Sequence, residues 1–144
     1  MPARILLFGP GYCGLAIAAA AASAGNKVTA VSRDPARNEF GDGIARVDFG
    51  AAEAPIAEAT HLIATAPPAA EGDPVLARYA SAIAAAPALS WIGYLSATSV
   101  YGDRGGGAVD EDTPAAPSSE RGTRRLAAER AWQACARTRP LDLI

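Results

Sequence analysis

The sequence predicts an α/β fold in which helices cover both faces of a parallel sheet. Short apolar runs alternate with Ala-rich segments of helical length along 144 residues, a length typical of one domain. Residues 89–95 are continuously apolar, as expected for a parallel strand that is buried on both faces. A glycine-rich turn follows the first apolar run, at the place where strand and helix meet in such a fold. We therefore treat residues 1–144 as a single domain.

The first predicted unit consists of a strand, a turn, a helix and a second strand. Residues 4–8 are apolar and lead into glycines, and residues 15–24 form an Ala-rich helix with Gly25 as the expected C-cap. Residues 27–31 are rich in β-branched side chains and end before Ser32. This succession predicts a βαβ unit at the start of the chain.

Four further segments predict the remaining strands. They are residues 44–49, 61–65, 89–95 and 140–144. The last run is not completed by a turn or cap, so it predicts only the start of a sixth strand. Right-handed crossovers give the first five strands the order 3-2-1-4-5 of a Rossmann-type, doubly wound sheet. A ligand is then expected where the carboxyl ends of strands 1 and 4 meet.

The later helices follow from length and capping signals. Residues 74–86 have helical length, whereas residues 56–59 are too few to predict more than a weak helix or a turn. Ser118 or Ser119 can cap a last helix that runs to about residue 137, with Trp132 among its buried candidates. These helices complete the alternation with the strands.

Composition and charge exclude several classes of function. Thirteen basic and fifteen acidic residues give a net charge of -2 and a pI near 5.3, which offers no positive field for nucleic acid. A local group of arginines (Arg121, Arg124, Arg125 and Arg130) is balanced by Glu120 and Glu129, so a solvated helix face is expected. No apolar run approaches the length of a membrane span.

Cysteine and histidine usage predicts neither a disulfide nor a metal site. Cys13 and Cys135 lie far apart without metal-type spacing, and both are expected as reduced thiols. The single His61 opens an apolar run and is interpreted as structural. Arg4 before an Ala-rich stretch resembles a secretory signal, but the glycine turn interrupts that stretch. We therefore expect a cytoplasmic protein.

The glycine turn carries the first functional signal. Gly9, Gly11 and Gly14 match G-x-G-x-x-G, with Tyr12 and Cys13 between the last two glycines. In this motif the first glycine makes a tight turn, the second admits a pyrophosphate to the backbone amides, and the third allows close packing. A turn kept only for packing is the alternative. The position between strand and helix favours a dinucleotide site.

The end of the second predicted strand indicates which dinucleotide is preferred. A carboxylate there would bond a ribose 2'-hydroxyl and repel a 2'-phosphate, but Ser32 occupies the place. Arg33 follows and can pair with a phosphate, although Asp34 could neutralise it. The sequence therefore predicts NADP as cofactor, with NAD as the alternative. A third possibility is that Arg33 is an exposed turn residue with no role in binding.

Several motifs together resemble an extended short-chain dehydrogenase/reductase. They are residues 9–14, residues 32–33, Asp48, the segment LSATSVYGD at 95–103 and the segment VDEDTP at 109–114. Within that family the chain most resembles the atypical NAD-dependent epimerase/dehydratase-like proteins of bacteria. The resemblance covers essentially the whole chain. Because extended members continue into a C-terminal substrate domain, the chain resembles their N-terminal fragment.

The resemblance implies further contacts with the cofactor. Asp48 would touch the adenine, and the turn that contains Ala66 and Pro67 would pass under the dinucleotide. Asp48 also has an alternative interpretation as a turn residue after the third strand. Both implications agree with positions at strand ends.

The resemblance also indicates where the usual catalytic groups are missing. Such enzymes use a Ser or Thr three residues before the Val of the Val-Tyr-Gly stretch, together with a Tyr-x-x-x-Lys pair. Ala97, Arg121 and Arg125 stand at those places here. A guanidinium stays protonated, so Arg121 cannot cycle a proton as a phenol can, whereas Arg125 could still bond a ribose hydroxyl.

Nearby hydroxyls are the remaining catalytic candidates. Ser96, Thr98 and Tyr101 follow the fifth predicted strand, and Tyr101 is the first choice among them. The alternative is that they only hydrogen bond at the strand end. The resemblance implies an NAD(P)-binding protein of the nucleoside-diphosphate-sugar epimerase/dehydratase type with a degenerate active site, acting on a small molecule such as a nucleotide sugar. A non-catalytic NADP(H) sensor is the second hypothesis.

Overall fold

Six parallel strands form one sheet in a computed structural model that describes residues 1–36, 40–138 and 142–143. The strands are β1 (Arg4–Phe8), β2 (Lys27–Ser32), β3 (Ile44–Asp48), β4 (His61–Ala64), β5 (Trp91–Tyr94) and β6 (Asp142–Leu143). Their order is β3-β2-β1-β4-β5-β6, which confirms the predicted 3-2-1-4-5 arrangement and the sixth strand. Residues 140, 141 and 144 of that last prediction lie outside the described residues.

Within the described residues, four α-helices connect the strands. They are α1 (Tyr12–Ser23), α2 (Glu53–Glu58), α3 (Pro74–Ala85) and α4 (Glu120–Arg137). The prediction placed the start of α1 at residue 15 and its C-cap at Gly25, and both bounds were wrong. The helix begins directly after Gly11, and its C-cap is Ala24. Gly25 comes next with φ +82°, a conformation that glycine adopts without strain.

Other bounds differ because side chains and turns end the elements early. The prediction continued β3 to residue 49, but the Asp48 carboxylate accepts a hydrogen bond from Gly50 N at 2.7 Å and starts a 3₁₀ turn over Phe49–Ala51. The apolar run 89–95 contains only the short strand β5, because apolar character marks burial and not the extent of strand pairing. The segment predicted as a weak helix or turn belongs to the regular helix α2.

Apolar side chains fill the space on both faces of the sheet. On one face, Phe8, Leu62 and Ile92 pack against residues of α2, α3 and α4. On the other face, Leu7 and Val28 join a second cluster to which α1 contributes Ala18. Strands β1, β2 and β5 thus have buried residues on both faces, whereas β3 is largely exposed after Ile44. The sheet edge at the carboxyl ends of the strands remains open for a site.

A buried carboxylate links two of the helices on one face. Asp73 is the N-cap of α3, and its Oδ1 accepts hydrogen bonds from Val75 N at 2.9 Å and Leu76 N at 3.0 Å. Its Oδ2 accepts a bond from Trp132 Nε1 of α4 at 3.0 Å. The carboxylate therefore fixes the start of α3 and the position of α4 together.

Candidate functional site

The three motif glycines meet different surroundings. Gly9 has φ +86°, and a Cβ atom there would lie 2.6 Å from Ala66 N. A Cβ on Gly14 would lie 2.5 Å from Gly9 O. A Cβ on Gly11 would meet nothing within 4 Å. Gly9 and Gly14 are thus required by packing, whereas Gly11 leaves open space that a ligand can fill.

The start of α1 faces this open space without a side-chain cap. Gly11 is the N-cap, and the first turn of the helix carries no acidic side chain. The first N–H groups of a helix have no partner within the helix, and the helix dipole favours an anion there. The turn therefore offers backbone donors to a pyrophosphate.

A cleft of about 980 Å³ extends from the glycine turn along the carboxyl ends of β2, β4 and β5 to the start of α4. Most of the predicted cofactor-binding residues line it: Gly9, Gly11, Tyr12, Cys13, Gly14, Ser32, Arg33, Ala66 and Pro67. Asp48 is not among the lining residues. Its carboxylate caps the turn at Gly50, which agrees with the alternative interpretation as a turn residue.

Ser32 and Arg33 stand at the end of β2, beside the cleft. Ser32 is the last residue of the strand, and its Oγ accepts a hydrogen bond from Asp34 N at 3.2 Å. Arg33 is exposed and lines the cleft. Within the described ranges, Arg33 forms no ion pair with Asp34. Both Arg33 and Asp34 line the cleft as separate charged groups.

The two arginines that replace the expected Tyr and Lys both border the cleft, in different ways. Arg121 is exposed at the start of α4. Arg125 is buried, and its Nη1 donates hydrogen bonds to Leu95 O at 2.9 Å and to the Tyr94 hydroxyl at 3.2 Å. Arg125 therefore holds the end of β5 against α4.

A smaller pocket of about 450 Å³ lies beside the cleft and shares Ser96 and Ala97 with it. All three predicted catalytic hydroxyls, Ser96, Thr98 and Tyr101, line this pocket. Ser96 Oγ donates a hydrogen bond to Glu129 Oε2 at 2.8 Å. The structure thus brings the three hydroxyls together and places only Ser96 at the junction of the two spaces.

Glu129 and Tyr94 line the pocket although no sequence motif indicates them as site residues. Arg121, Arg125, Glu129 and Gln133 follow one another at intervals of four along α4, so they share one face of the helix. The arginines of this helix, with Glu120 and Glu129, are expected on a solvated face, but Arg125 is buried, so the expectation is wrong for that residue. Tyr94 gave no signal because it belongs to an apolar strand.

The Tyr94 phenol is buried between charged groups. Burial raises the pKa of Tyr94 above its usual value, and the nearby Arg125 guanidinium opposes part of that effect. The carboxylates of Asp73 and Glu129 raise the pKa of Tyr94 further. The phenol therefore keeps its proton at neutral pH.

This pKa predicts that stability falls at alkaline pH. The folded state holds the Tyr94 proton more tightly than the unfolded state, so the bound proton adds to the free energy of unfolding. This contribution is complete when the pH is below the ordinary pKa of a phenol. It is lost as pH rises from about 10 through the higher folded pKa. Urea unfolding of a Cys135→Ala background should show this fall, and Tyr94→Phe should make it shallower. That background is needed because burial also raises the pKa of Cys135. An unchanged slope in Tyr94→Phe would contradict the assignment.

The remaining candidates for chemistry have ordinary environments. His61 Nδ1 lies 2.9 Å from Thr60 Oγ1, and its ring lies 5.7 Å from that of Trp91. Cys13 and Cys135 are free thiols. Among the described residues, no group of three or more His, Cys, Asp or Glu side chains could hold a metal ion. No helix in those ranges is long and apolar enough to cross a membrane.

No family model and no curated protein matches this sequence. Solved structures do match. A protein of unknown function from Silicibacter pomeroyi is 39% identical, with a TM-score of 0.85 over 96% of this chain and 50% of that one. A protein from Methylobacillus flagellatus assigned as an NAD-dependent epimerase/dehydratase is 25% identical, with a TM-score of 0.70 over 93% and 51%.

A third match is UDP-glucuronic acid 4-epimerase from Bacillus cereus in complex with NAD. It is 17% identical, with a TM-score of 0.73 over 96% of this chain and 54% of the epimerase. Fold and cleft together define an α/β protein with a Rossmann-type, doubly wound sheet. The chain is thus similar to a solved structure assigned as an NAD-dependent epimerase/dehydratase, and it shares the fold of a UDP-sugar epimerase. It spans about half the length of the solved structures that it matches.

Proposed function

We propose that the chain binds a nicotinamide dinucleotide in the cleft, with the pyrophosphate over the glycine turn. The observation that carries this proposal is the open space at Gly11 between two glycines that packing requires. Gly11 also leaves the first turn of α1 without a side-chain cap, as an anion site needs. The NAD carried by the solved UDP-glucuronic acid 4-epimerase supports the same cofactor class.

The residues present fit such a cofactor. The backbone of the glycine turn would hold the pyrophosphate, and Ala66 with Pro67 would line the cleft beside it. When bound, the nicotinamide supplies or accepts a hydride. Asp48 is proposed to lie near the adenine because it stands at the end of β3. Its carboxylate accepts a hydrogen bond from Gly50 N, so the proposal rests on this position alone.

Calorimetric titration with NADPH and NADH tests the proposal directly. We expect saturable binding of both nucleotides, because both contain the pyrophosphate that the glycine turn would hold. NADPH is expected to bind more tightly than NADH. The absence of saturable binding for either nucleotide would contradict the proposal.

NADP is the proposed preference because Arg33 can reach a 2'-phosphate and no carboxylate stands at Ser32. We predict that Arg33→Ala weakens NADPH binding far more than NADH binding. Losing one hydrogen bond to a charged group costs about 1.5–3 kcal/mol, which is about 10- to 150-fold in Kd.

Arg130→Ala is the matched control, because it removes the same charge from an exposed site on α4 that lines neither space. It should leave the Kd of both nucleotides unchanged. Equal weakening of NADPH and NADH by Arg33→Ala would leave NAD and NADP undistinguished and would refute the role given to Arg33.

For the protein as a whole we propose an enzyme of the nucleoside-diphosphate-sugar epimerase/dehydratase type, acting on a small molecule such as a nucleotide sugar. A UDP-sugar epimerase among the solved structures supports this class. Ser96, Thr98 and Tyr101 are its candidate catalytic hydroxyls around the pocket. The free thiols support a reducing, cytoplasmic location.

A non-catalytic NADP(H) sensor is the second candidate. It is favoured by Ala97, Arg121 and Arg125 at the places of the usual catalytic groups, and by the use of Arg125 in holding β5. A sensor would bind NADPH as proposed above and convert no substrate. Nucleotide-dependent conversion of sugar nucleotides, followed by mass spectrometry, separates the two candidates.

A further inference from the structure

The pocket beside the cleft contains a phenol to which the family resemblance does not point. Tyr94 is the last residue of β5 and lines this pocket, although only 8% of its surface is exposed. Its ring stacks on Trp132 with centroids 6.0 Å apart and an interplanar angle of 26°. Packing therefore fixes the ring, and the position of its hydroxyl with it.

The Tyr94 hydroxyl has one partner and a proton that is still available. Its oxygen accepts a hydrogen bond from Arg125 Nη1, and the guanidinium carbon lies 5.8 Å from the ring centroid. Within the part of the chain that the structure describes, no atom accepts the Tyr94 proton. A phenol whose oxygen is already bonded by a cation can still donate to a ligand oxygen in the pocket.

We propose that Tyr94, held by Arg125, is the proton donor of this chain when a carbonyl group in the pocket is reduced. This role rests on the proposed function, because the reductant is a reduced nicotinamide dinucleotide. The carbonyl carbon gains a hydride from that reductant, and its oxygen gains the phenolic proton of Tyr94. The products are an alcohol, the oxidised dinucleotide and a Tyr94 phenolate that regains a proton from water.

The groups around Tyr94 act in opposite directions on its proton. Burial and the carboxylates of Asp73 and Glu129 keep the phenol protonated at neutral pH, because they raise its pKa. The Arg125 guanidinium stabilises the phenolate once it has formed, since it lowers the energy of the anion. Arg125 would thus do for Tyr94 what a lysine does for the usual tyrosine. It is a positioning residue, because it acts through the phenol.

Tyr101 lines the same pocket but lacks this arrangement. It lies in a short 3₁₀ helix after β5, and its backbone carbonyl accepts a bond from Arg104 Nε at 2.9 Å. Among the residues with a described position, no cation contacts the Tyr101 hydroxyl. The pairing of phenol and guanidinium therefore distinguishes Tyr94 from the tyrosine that the sequence favoured.

The first experiment measures the pairing without any turnover. Alkaline titration of phenolate absorbance is recorded for the parent and for Tyr94→Phe, and their difference isolates Tyr94 among the four tyrosines. In an Arg125→Gln background, the Tyr94 phenolate should form at higher pH than in the parent. In an Arg125→Lys background, it should form at a pH nearer to that of the parent. Arg124→Gln, which breaks an exposed ion pair with Glu120 outside both spaces, should leave the titration unchanged. If the Tyr94 phenolate forms at the same pH in the Arg125→Gln background as in the parent, the proposal is overturned.

The second experiment measures proton donation. Reduction of 2,3-butanedione by NADPH is followed in the parent, Tyr94→Phe and Tyr101→Phe, with nucleotide Kd measured for each protein. We expect Tyr94→Phe to lower kcat by about 10²- to 10⁴-fold with little change in the Kd for NADPH. Arg125→Lys should retain more activity than Arg125→Gln, and Arg124→Gln should match the parent.

The outcomes separate this inference from the proposed function. A parent that binds NADPH but reduces no dione, or a Tyr94→Phe variant as active as the parent, would overturn the inference and leave cofactor binding intact. A loss confined to Tyr101→Phe would assign the donor to that residue instead. Absence of NADPH binding would overturn the proposed function and this inference with it.

Discussion

Replacement of Gly11 by valine is expected to weaken binding of NADPH and NADH by about 10²-fold or more while the protein remains folded. A Cβ at Gly11 meets no protein atom within 4 Å, so the branched side chain enters only the space that the pyrophosphate would fill. Losing two hydrogen bonds to that charged group costs about 3 kcal/mol or more, which is about 10²-fold or more in Kd. Calorimetry measures the binding, and thermal unfolding measures the fold.

Two other glycines make the interpretation of Gly11→Val specific. Gly41→Val adds the same side chain at an open position outside the cleft, so both binding and melting temperature should match the parent. Gly14→Val should instead lower the melting temperature, because its Cβ would lie 2.5 Å from Gly9 O. If Gly11→Val binds NADPH as tightly as the parent, the glycine turn does not hold the pyrophosphate.

The order of the strands could be predicted because it follows from periodicity and handedness alone. Alternating strands and helices with right-handed crossovers allow few arrangements, and the order from β3 to β5 is the common one. The bounds of elements depend on local contacts that the pattern does not contain. The Asp48 carboxylate ends β3 one residue before the end of the predicted segment, and helix α2 forms around the single buried side chain of Ile56.

The lining of the cleft follows more directly from the sequence than that of the pocket, for a physical reason. A glycine turn between strand and helix is one local segment, so the sequence could place Gly11 and Arg33 near the same strand ends, and both line the cleft. The pocket instead joins β5 to a helix that begins after a long loop. Pairs such as Ser96 with Glu129 and Tyr94 with Arg125 arise only when α4 packs on the sheet.

Asp73→Ala is expected to cost about 2–4 kcal/mol of stability and to lower the melting temperature by about 5–15 °C. The substitution removes the N-cap of α3, which is worth about 1 kcal/mol. It also leaves the indole N–H of the fully buried Trp132 without its acceptor, at a further cost of about 1–3 kcal/mol. The buried carboxylate has both roles at once, so its loss affects α3 and α4 together. Urea unfolding monitored by circular dichroism measures the change.

A double-mutant cycle with Trp132→Phe isolates the bond between the two helices. Phenylalanine keeps an aromatic ring beside Tyr94 but lacks the indole donor, so the Asp73→Ala substitution should cost less in that background than in the parent. The coupling energy is expected to be about 1 kcal/mol or more, as for other contacting pairs. Asp112→Ala, at an exposed position of the loop before α4, should change stability by less than about 0.5 kcal/mol. Additive effects of Asp73→Ala and Trp132→Phe would show that the carboxylate stabilises α3 alone, and that α4 is held by the packing of Trp132 and by Arg125 at the end of β5.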